Sequence, residues 1–340
     1  MTLIKKILLP FEYAPELVTY QNVAFPLGII QGNAKKSITP WLSSRYINCW
    51  FSPTASCNFS LYEENNWAVE EKILFQQHGS LIQNECDTII VDSYVALFKD
   101  MIRKGYYPHG VYNEEFIPGK KAFEKRYFAH DFILCGYDDN TSCFISAGYL
   151  SNNKYQQFCI PYECMERAMI TLRKDKEFYD FFRYNQEAIY EIDCDKITRD
   201  LSDYLHSIQS QPTHIQECIW GMDALIETGQ FIVDLYKNEN RVEHRCTCAA
   251  KEHKKLMVMR INYLLSCKFL NDQTYLDRAK DVLRLAEIAH LLGVKLFFTK
   301  EESIVHHIND IYKKIVELEK TYLPNVLLEV QSRDQYIDGH

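Results

Sequence analysis

Two short apolar runs separated by a turn constrain the fold of this chain more than any other feature. The runs Phe132–Cys135 and Cys143–Ile145 flank an Asp-Asp-Asn segment, which is typical of tight turns. Residues 127–149 are therefore predicted to form a β-hairpin in a buried sheet, with His130 on its first strand. A strand holds an imidazole rigidly, as a general base requires, although a core histidine bonded to a backbone carbonyl explains the position equally well.

The residues after this histidine carry a family resemblance. The segment His130–Asp139 is followed by a predicted strand at Tyr155–Ile160 and by a helix that opens at Pro161. This order resembles the papain-like N-terminal domain of the butirosin biosynthesis protein H family, over roughly residues 1–170. The resemblance implies a fold related to the bacteriocin-processing cysteine peptidases. It also implies transfer of an acyl group from a carrier-protein thioester to an amine.

The nucleophile of that family has no counterpart at the expected position. In the family a cysteine opens the first long helix, whereas residues 18–25 contain none. Residues 20–31 are predicted to form a small apolar helix or turn, interrupted at Pro26 and stopped by Gly32-Asn33. Cys49 is the best-placed substitute thiol because a proline-containing loop follows it. An inert, buried cysteine is the commoner explanation of such a residue.

Two carboxylates are candidates for fixing the tautomer of His130, since the strand after the turn lacks the expected Asp or Asn. Adjacent strand residues point to opposite faces, so Asp131 is expected to pair with His130 only where the strand is bulged. Asp138 lies beyond the strand and has more freedom to turn back. Both remain candidate catalytic residues beside His130 and Cys49.

The aromatic segment 106–112 is predicted to line a pocket that His130 faces. Capping of the core by the same rings is the alternative. Lys120 and Lys121 would suit the phosphate of a phosphopantetheine arm or an acidic carrier protein, although a solvated charge pair is the commoner explanation. Three tyrosines are the candidate substrate-binding residues: Tyr107, Tyr112 and Tyr137.

Helical periodicity replaces strand signals after about residue 169. The predicted fold class is therefore α+β, with a papain-like domain at residues 1–170 and an all-helical domain at 171–340. Zinc ligation by His244, Cys246, Cys248 and His253 is not expected, because residues two apart on a helix face away from each other. No metal and no cofactor are expected elsewhere.

Composition narrows the function further. The net charge of −8 with no basic stripe argues against a nucleic-acid partner. The twelve cysteines include no C-x-x-C pair, and the short apolar run 7–9 is too brief for a secretory leader, so a reducing cytoplasm is expected. No run approaches the ~18 apolar residues of a membrane-spanning helix, so no membrane partner is expected.

Two functions follow from these features. The first is an acyl or peptidyl transferase of natural-product biosynthesis, which forms an amide between a carrier-bound thioester and a small amine. A thioester is already activated, so His130 could act on the amine without a covalent intermediate. The alternative is a catalytically inactive papain-fold binding or scaffold protein of the same pathway, as the missing cysteine suggests.

Overall fold

A computed structural model describes residues 5–55, 57–79, 93–209, 217–239 and 243–337. The β-strands of these residues are β1 (Lys6–Leu8), β2 (Cys49–Phe51), β3 (Phe59–Leu61), β4 (Leu74–His78), β5 (Tyr107–Asn113), β6 (Ala129–Asp138), β7 (Cys143–Tyr149), β8 (Tyr155–Pro161), β9 (Tyr179–Tyr184) and β10 (Ile219–Trp220). Short 3₁₀ turns follow β5 at Glu114–Phe116 and precede β9 at Lys174–Lys176.

The α-helices of the described residues are α1 (Gln21–Asn33), α2 (Thr39–Leu42), α3 (Tyr94–Arg103), α4 (Tyr162–Ile170), α5 (Cys194–His206), α6 (Gly221–Glu239), α7 (Arg245–Ser266), α8 (Thr274–Thr299), α9 (Glu302–Lys320) and α10 (Leu323–Ile337). The mixture of helix and sheet is that of an α+β protein. None of these helices has the length and apolar content needed to cross a bilayer.

The chain forms two compact units that do not follow a single division at residue 170. Unit 1 combines Met1–Lys36 with Asn65–Ile189, and unit 2 combines Ser37–Glu64 with Tyr190–His340. The strand β9 therefore belongs to unit 1, whereas the segment that carries Cys49 belongs to unit 2.

Unit 1 is built on an antiparallel sheet that has seven strands in the described part of the chain. Its order is β4-β9-β5-β6-β7-β8, and β1 also pairs with β6. The hairpin predicted at residues 127–149 is confirmed, because β6 and β7 pair antiparallel around the turn. The strand and helix expected after the hairpin are confirmed as β8 and α4.

One face of this sheet holds the unit 1 core. Alternate residues Phe132 and Leu134 of β6 are buried against Phe98 of α3 and Met165 of α4. Each fully buried side chain of this size stabilises the fold by about 1.5–3 kcal/mol relative to an exposed one. The core therefore fixes the register of β6 and the position of His130 at its amino end.

The first long helix has nearly the extent that the sequence predicts, but Pro26 does not interrupt it. The helix α1 runs from Gln21 to Asn33 with Pro26 inside it, and it buries a continuous stretch from Val23 to Ile30. Proline removes one intrahelical hydrogen bond, but burial of Phe25, Leu27 and their neighbours outweighs that loss. The helix begins at Gln21.

Unit 2 is mainly helical, but a small antiparallel sheet of order β10-β2-β3 shows that it is not all-helical. The segment 37–64 joins it through buried contacts with α7. Arg260 donates to the carbonyl oxygens of Ser43 and Arg45 at 2.7 Å. His253 Nε2 donates to the carbonyl oxygen of Ile47, also at 2.7 Å.

Candidate functional site

Three strand ends meet at one end of the unit 1 sheet. The register pairs Tyr112 of β5 with His130 of β6, and Ala147 of β7 with Ile133 of β6. The carboxyl ends of β5 and β7 therefore lie beside the amino end of β6. Polar side chains from these ends and nearby segments form one group, which we call the His130 cluster: Gln21, Glu114, Lys120, His130 and Asp131.

The Nδ1 atom of His130 faces two carboxylates. It lies 3.1 Å from Asp131 Oδ1 and 3.5 Å from Glu114 Oε1. The His130 side chain is 37% exposed, and its ring stacks on Phe128 with centroids 5.5 Å apart. No hydrogen bond to Nε2 occurs within the described ranges of the chain. With the proton on Nδ1 and shared with Asp131, Nε2 keeps the free lone pair that a general base needs.

The contact between His130 and Asp131 does not require a bulge at these residues, contrary to the expectation from strand geometry. The register shift in the β6–β7 pairing lies between Leu134 and Gly136. His130 is only the second residue of β6. At a strand end, side chains lean along the strand direction as well as away from the sheet, so two neighbours can meet past the edge.

Gln21 joins three parts of the site through one side chain. Its Nε2 donates to Oδ1 and to the backbone oxygen of Asp131 at 2.9 and 3.2 Å, and it lies 3.4 Å from His130 Nδ1. Its Oε1 accepts from the backbone N–H of Tyr149 at 3.1 Å. Gly148 leaves room for this side chain, because its φ is +151° and an added Cβ would lie 2.8 Å from Gln21 Oε1.

Lys120 and Glu114 form a buried ion pair beside the imidazole. Lys120 Nζ lies 3.4 Å from Glu114 Oε1, and both side chains are almost fully buried. Burial lowers the pKa of Lys120, and the Glu114 carboxylate opposes that shift. Lys120 is therefore not available to a phosphate in solvent, and only Lys121 of the predicted pair is exposed.

Asp138 lies at the opposite end of β6. Eight positions separate it from His130, roughly 26 Å along a strand. Its Oδ2 forms an ion pair with Lys6 at 3.0 Å, and its Oδ1 accepts from the backbone N–H of Asn140 at 2.9 Å. The Lys6 hydrogen bond lowers the pKa of Asp138. Asp138 therefore stabilises the hairpin turn and does not fix the His130 tautomer.

Cys49 belongs to unit 2 and lacks the properties of a nucleophile. It lies on β2, fully buried, with Sγ 3.4 Å from the carbonyl oxygen of Gly221. Burial raises the pKa of the Cys49 thiol to about 12, whereas reactive cysteines are partly exposed and have lowered pKa values. None of the described cysteines contacts His130.

The three candidate substrate-binding tyrosines are core residues, because each is at most 2% exposed. Tyr107 donates to the carbonyl oxygen of Pro10, and Tyr112 stacks on Phe132 with centroids 5.2 Å apart. Tyr137 accepts from Arg103 Nε at 3.2 Å. Their rings are closed to a substrate, so the prediction that these tyrosines bind substrate is wrong, and Tyr107 and Tyr112 do not form a pocket wall in segment 106–112.

Neither of two clefts in the structure is lined by His130, and no metal-binding group is found among the described residues. Clefts of about 290 and 400 Å³ lie in unit 2, and His130 lines neither of them. Among the described residues, no group of three or more His, Cys, Asp or Glu side chains has a geometry that could hold a metal ion. The chemistry of the candidate site therefore depends on the imidazole, the carboxylates and the amide of the His130 cluster.

Two members of the cluster were missed by the sequence analysis. Gln21 lies 109 positions from His130, and no local pattern joins them. Gln21 could have been identified from its place at the start of the first long helix, because the resemblance assigns that position to the nucleophile. Glu114 follows β5 directly, and its contact with Lys120 depends on how the intervening loop folds back.

A search against models of protein families gives no match to this chain. No curated protein sequence matches it either. The functional interpretation therefore depends on the geometry of the site.

Proposed function

We propose that this chain is a papain-like acyltransferase, which joins the acyl group of a carrier-bound thioester to an amine with His130 as general base. One observation carries the proposal: Nδ1 of His130 lies 3.1 Å from the Asp131 carboxylate on a half-exposed imidazole. This arrangement leaves Nε2 as the proton acceptor. Support for a papain-like arrangement comes from α1, whose first residue contacts a histidine on the central hairpin.

The proposed reaction is a direct aminolysis. The amine nitrogen attacks the thioester carbonyl carbon, and Nε2 of His130 takes the proton that the nitrogen loses. The tetrahedral intermediate then expels the thiolate, which receives the same proton from His130 and leaves as a thiol. Asp131 holds the imidazole in its Nδ1–H tautomer and stabilises the imidazolium that forms between the two steps.

The start of α1 would assist the same intermediate. The first backbone N–H groups of an α-helix have no intrahelical partners, and a helix N-terminus favours negative charge. In α1 the N–H groups of Val23 and Ala24 already donate to the carbonyl oxygen of Tyr20, so an oxyanion at the start of the helix would meet those of Gln21 and Asn22. Gln21 itself cannot attack a carbonyl, which is why the proposal contains no covalent intermediate and favours an activated thioester over an ordinary peptide.

A carrier-protein partner fits the exposed surface next to His130. Phe128 is exposed and stacks on the imidazole, and the Arg126 guanidinium lies 5.5 Å from the Phe128 ring. Lys121 and Lys125 are exposed in the same segment. These cations would attract the phosphate of a phosphopantetheine arm, and Phe128 would contact its apolar part.

The test is an aminolysis assay with acyl thioesters of N-acetylcysteamine and a panel of small amines. Replacing His130 with Ala should lower the rate by roughly 10²-fold or more, the usual contribution of a general base. Asp131→Asn should also lower it, whereas the matched control Asp138→Asn, on the same strand, should not. A parent protein no faster than buffer with every pair, or a fully active His130→Ala variant, would contradict the proposal.

A second function is favoured by Gln21. The residue at the start of α1 uses its whole side chain to bind Asp131 and Tyr149, as expected of a structural residue in a papain-like fold that has lost its nucleophile. Such a protein would bind the acylated carrier without turning it over. Retained carrier binding together with no acceleration of aminolysis would favour this function.

A further inference from the structure

The outer surface of α8 carries an apolar stripe that its own unit does not bury. The opposite face of this helix packs against α7 and α9 through residues such as Ala286 and Leu296. Leu291 is 66% exposed and Phe298 is 76% exposed. We define the α8 stripe by four exposed apolar side chains on one side of the helix: Ile288, Leu291, Val294 and Phe298. Phe297 is also exposed, but it lies outside this stripe and its ring contacts those of His244 and Phe298.

The stripe has the spacing of a helix-pairing face. Its members recur at intervals of three and four positions, which places them on one side of an α-helix. Arg284 lies seven positions before Leu291, and Phe298 lies seven after it. Residues 284–298 together span roughly 21 Å at ~1.5 Å per residue, enough for several turns of contact with a second helix.

The charges beside the stripe have opposite signs at equal distances on either side of Leu291. In an antiparallel pair of α8 helices centred on Leu291, Glu287 of one copy is opposite Lys295 of the other, since both lie four positions from the centre. By the same count, Arg284 faces the ring of Phe298, a geometry that allows a cation–π contact. The apolar positions Ile288 and Val294 also face each other.

This self-complementary pattern indicates that the partner bound at the α8 stripe is a second copy of the same chain. An interface between two copies related by a twofold axis must match itself, residue by residue. An unrelated partner sets no such requirement. We propose that the α8 stripe is the interface of a homodimer of this chain, in which two α8 helices pair antiparallel around Leu291.

The ion pairs that Lys295 and Arg284 form within one chain do not prevent them from forming contacts across the dimer. Lys295 Nζ lies 3.2 Å from Glu301 Oε2, and Arg284 lies 2.6 Å from Asp281, both on exposed side chains. Exposed pairs of this kind contribute little to stability. The new contacts across the dimer would be shielded from solvent by the apolar stripe.

The test is sedimentation velocity of the full chain over a concentration series. The parent should sediment with twice the 40.1 kDa mass of one chain. Leu291→Glu should give a monomer with unchanged circular dichroism, because two carboxylates would meet at the dimer axis. The matched control Leu328→Glu, at an exposed leucine of α10, should remain dimeric.

Charge reversal tests the register and the orientation. Glu287→Lys and Lys295→Glu should each weaken the dimer by about tenfold or more in Kd, because each places like charges opposite one another. The double variant restores opposite charges and should recover the parent Kd. A monomeric parent, a Leu291→Glu variant that still dimerises, or a double variant as weak as the single ones would overturn the proposal.

Discussion

Replacing Gln21 with Met should destabilise unit 1, because methionine keeps the length of the side chain and removes its hydrogen bonds. The parent side chain makes two bonds to Asp131 and one to the Tyr149 N–H. A hydrogen bond to a charged group contributes about 1.5–3 kcal/mol and a neutral one about 0.5–1.5 kcal/mol. Because both partners are only partly buried and water can replace some bonds, we expect a loss of about 2–4 kcal/mol in the free energy of unfolding.

Two measurements check this expectation. Thermal unfolding should shift downward by about 5–15 °C for a unit of this size, and hydrogen exchange of the Tyr149 amide should lose its protection. The matched control is Gln157→Met on β8, an exposed glutamine, which should change neither quantity. A Gln21→Met variant as stable as the parent, with the Tyr149 amide still protected, would refute the role of Gln21 as the link between α1 and the site.

Three further predictions concern other buried groups. Cys49→Ser should retain aminolysis activity, and iodoacetamide should alkylate native Cys49 more slowly than the exposed Cys159. Burial lowers the pKa of His109 to about 4, below the ~6.5 of an unfolded histidine. Because unfolding then takes up a proton, the melting temperature should fall as the pH drops from about 6.5 towards 4. The fall should be smaller in the His109→Phe variant. Lys254→Met should lower the free energy of unfolding, measured by urea titration, by about 3–5 kcal/mol, because it leaves the Glu319 carboxylate buried without the ammonium that lies 2.8 Å away. The double variant Lys254→Met/Glu319→Leu should recover much of that loss.

The sequence predicts those parts of the fold whose cause is local. The apolar runs on either side of the Asp-Asp-Asn turn form β6 and β7, since a continuous apolar run and turn chemistry act over a few residues. Helices also occur where the apolar spacing predicts them in the second half of the chain. That Pro26 leaves α1 uninterrupted is not predictable in this way, because it depends on burial against distant elements.

The site and the division into units depend on long-range contacts. Arg260 donates to the carbonyl oxygens of Ser43 and Arg45, more than two hundred positions away. The sequence of residues 37–64 does not predict that contact. Asp131 was a candidate partner of His130 and does contact it, but the bulge that the sequence reasoning required is absent there, because ideal strand geometry does not hold at a strand end. Tyr107 and Tyr112 were predicted because an aromatic, proline-containing segment was expected to line a pocket, whereas the aromatic residue stacked on His130 is Phe128.

The tautomer of His130 tests the central claim most directly, because the imidazole has two competing neighbours. A proton on Nδ1 shared with Asp131 at 3.1 Å leaves Nε2 as the base. A proton on Nε2 makes Nδ1 the acceptor of the Gln21 amide at 3.4 Å and removes the base. Long-range ¹H–¹⁵N spectra of histidine-labelled protein, assigned with a His130→Gln variant, distinguish the two forms. We predict the Nδ1–H form in the neutral imidazole; a dominant Nε2–H form would contradict general-base catalysis by His130.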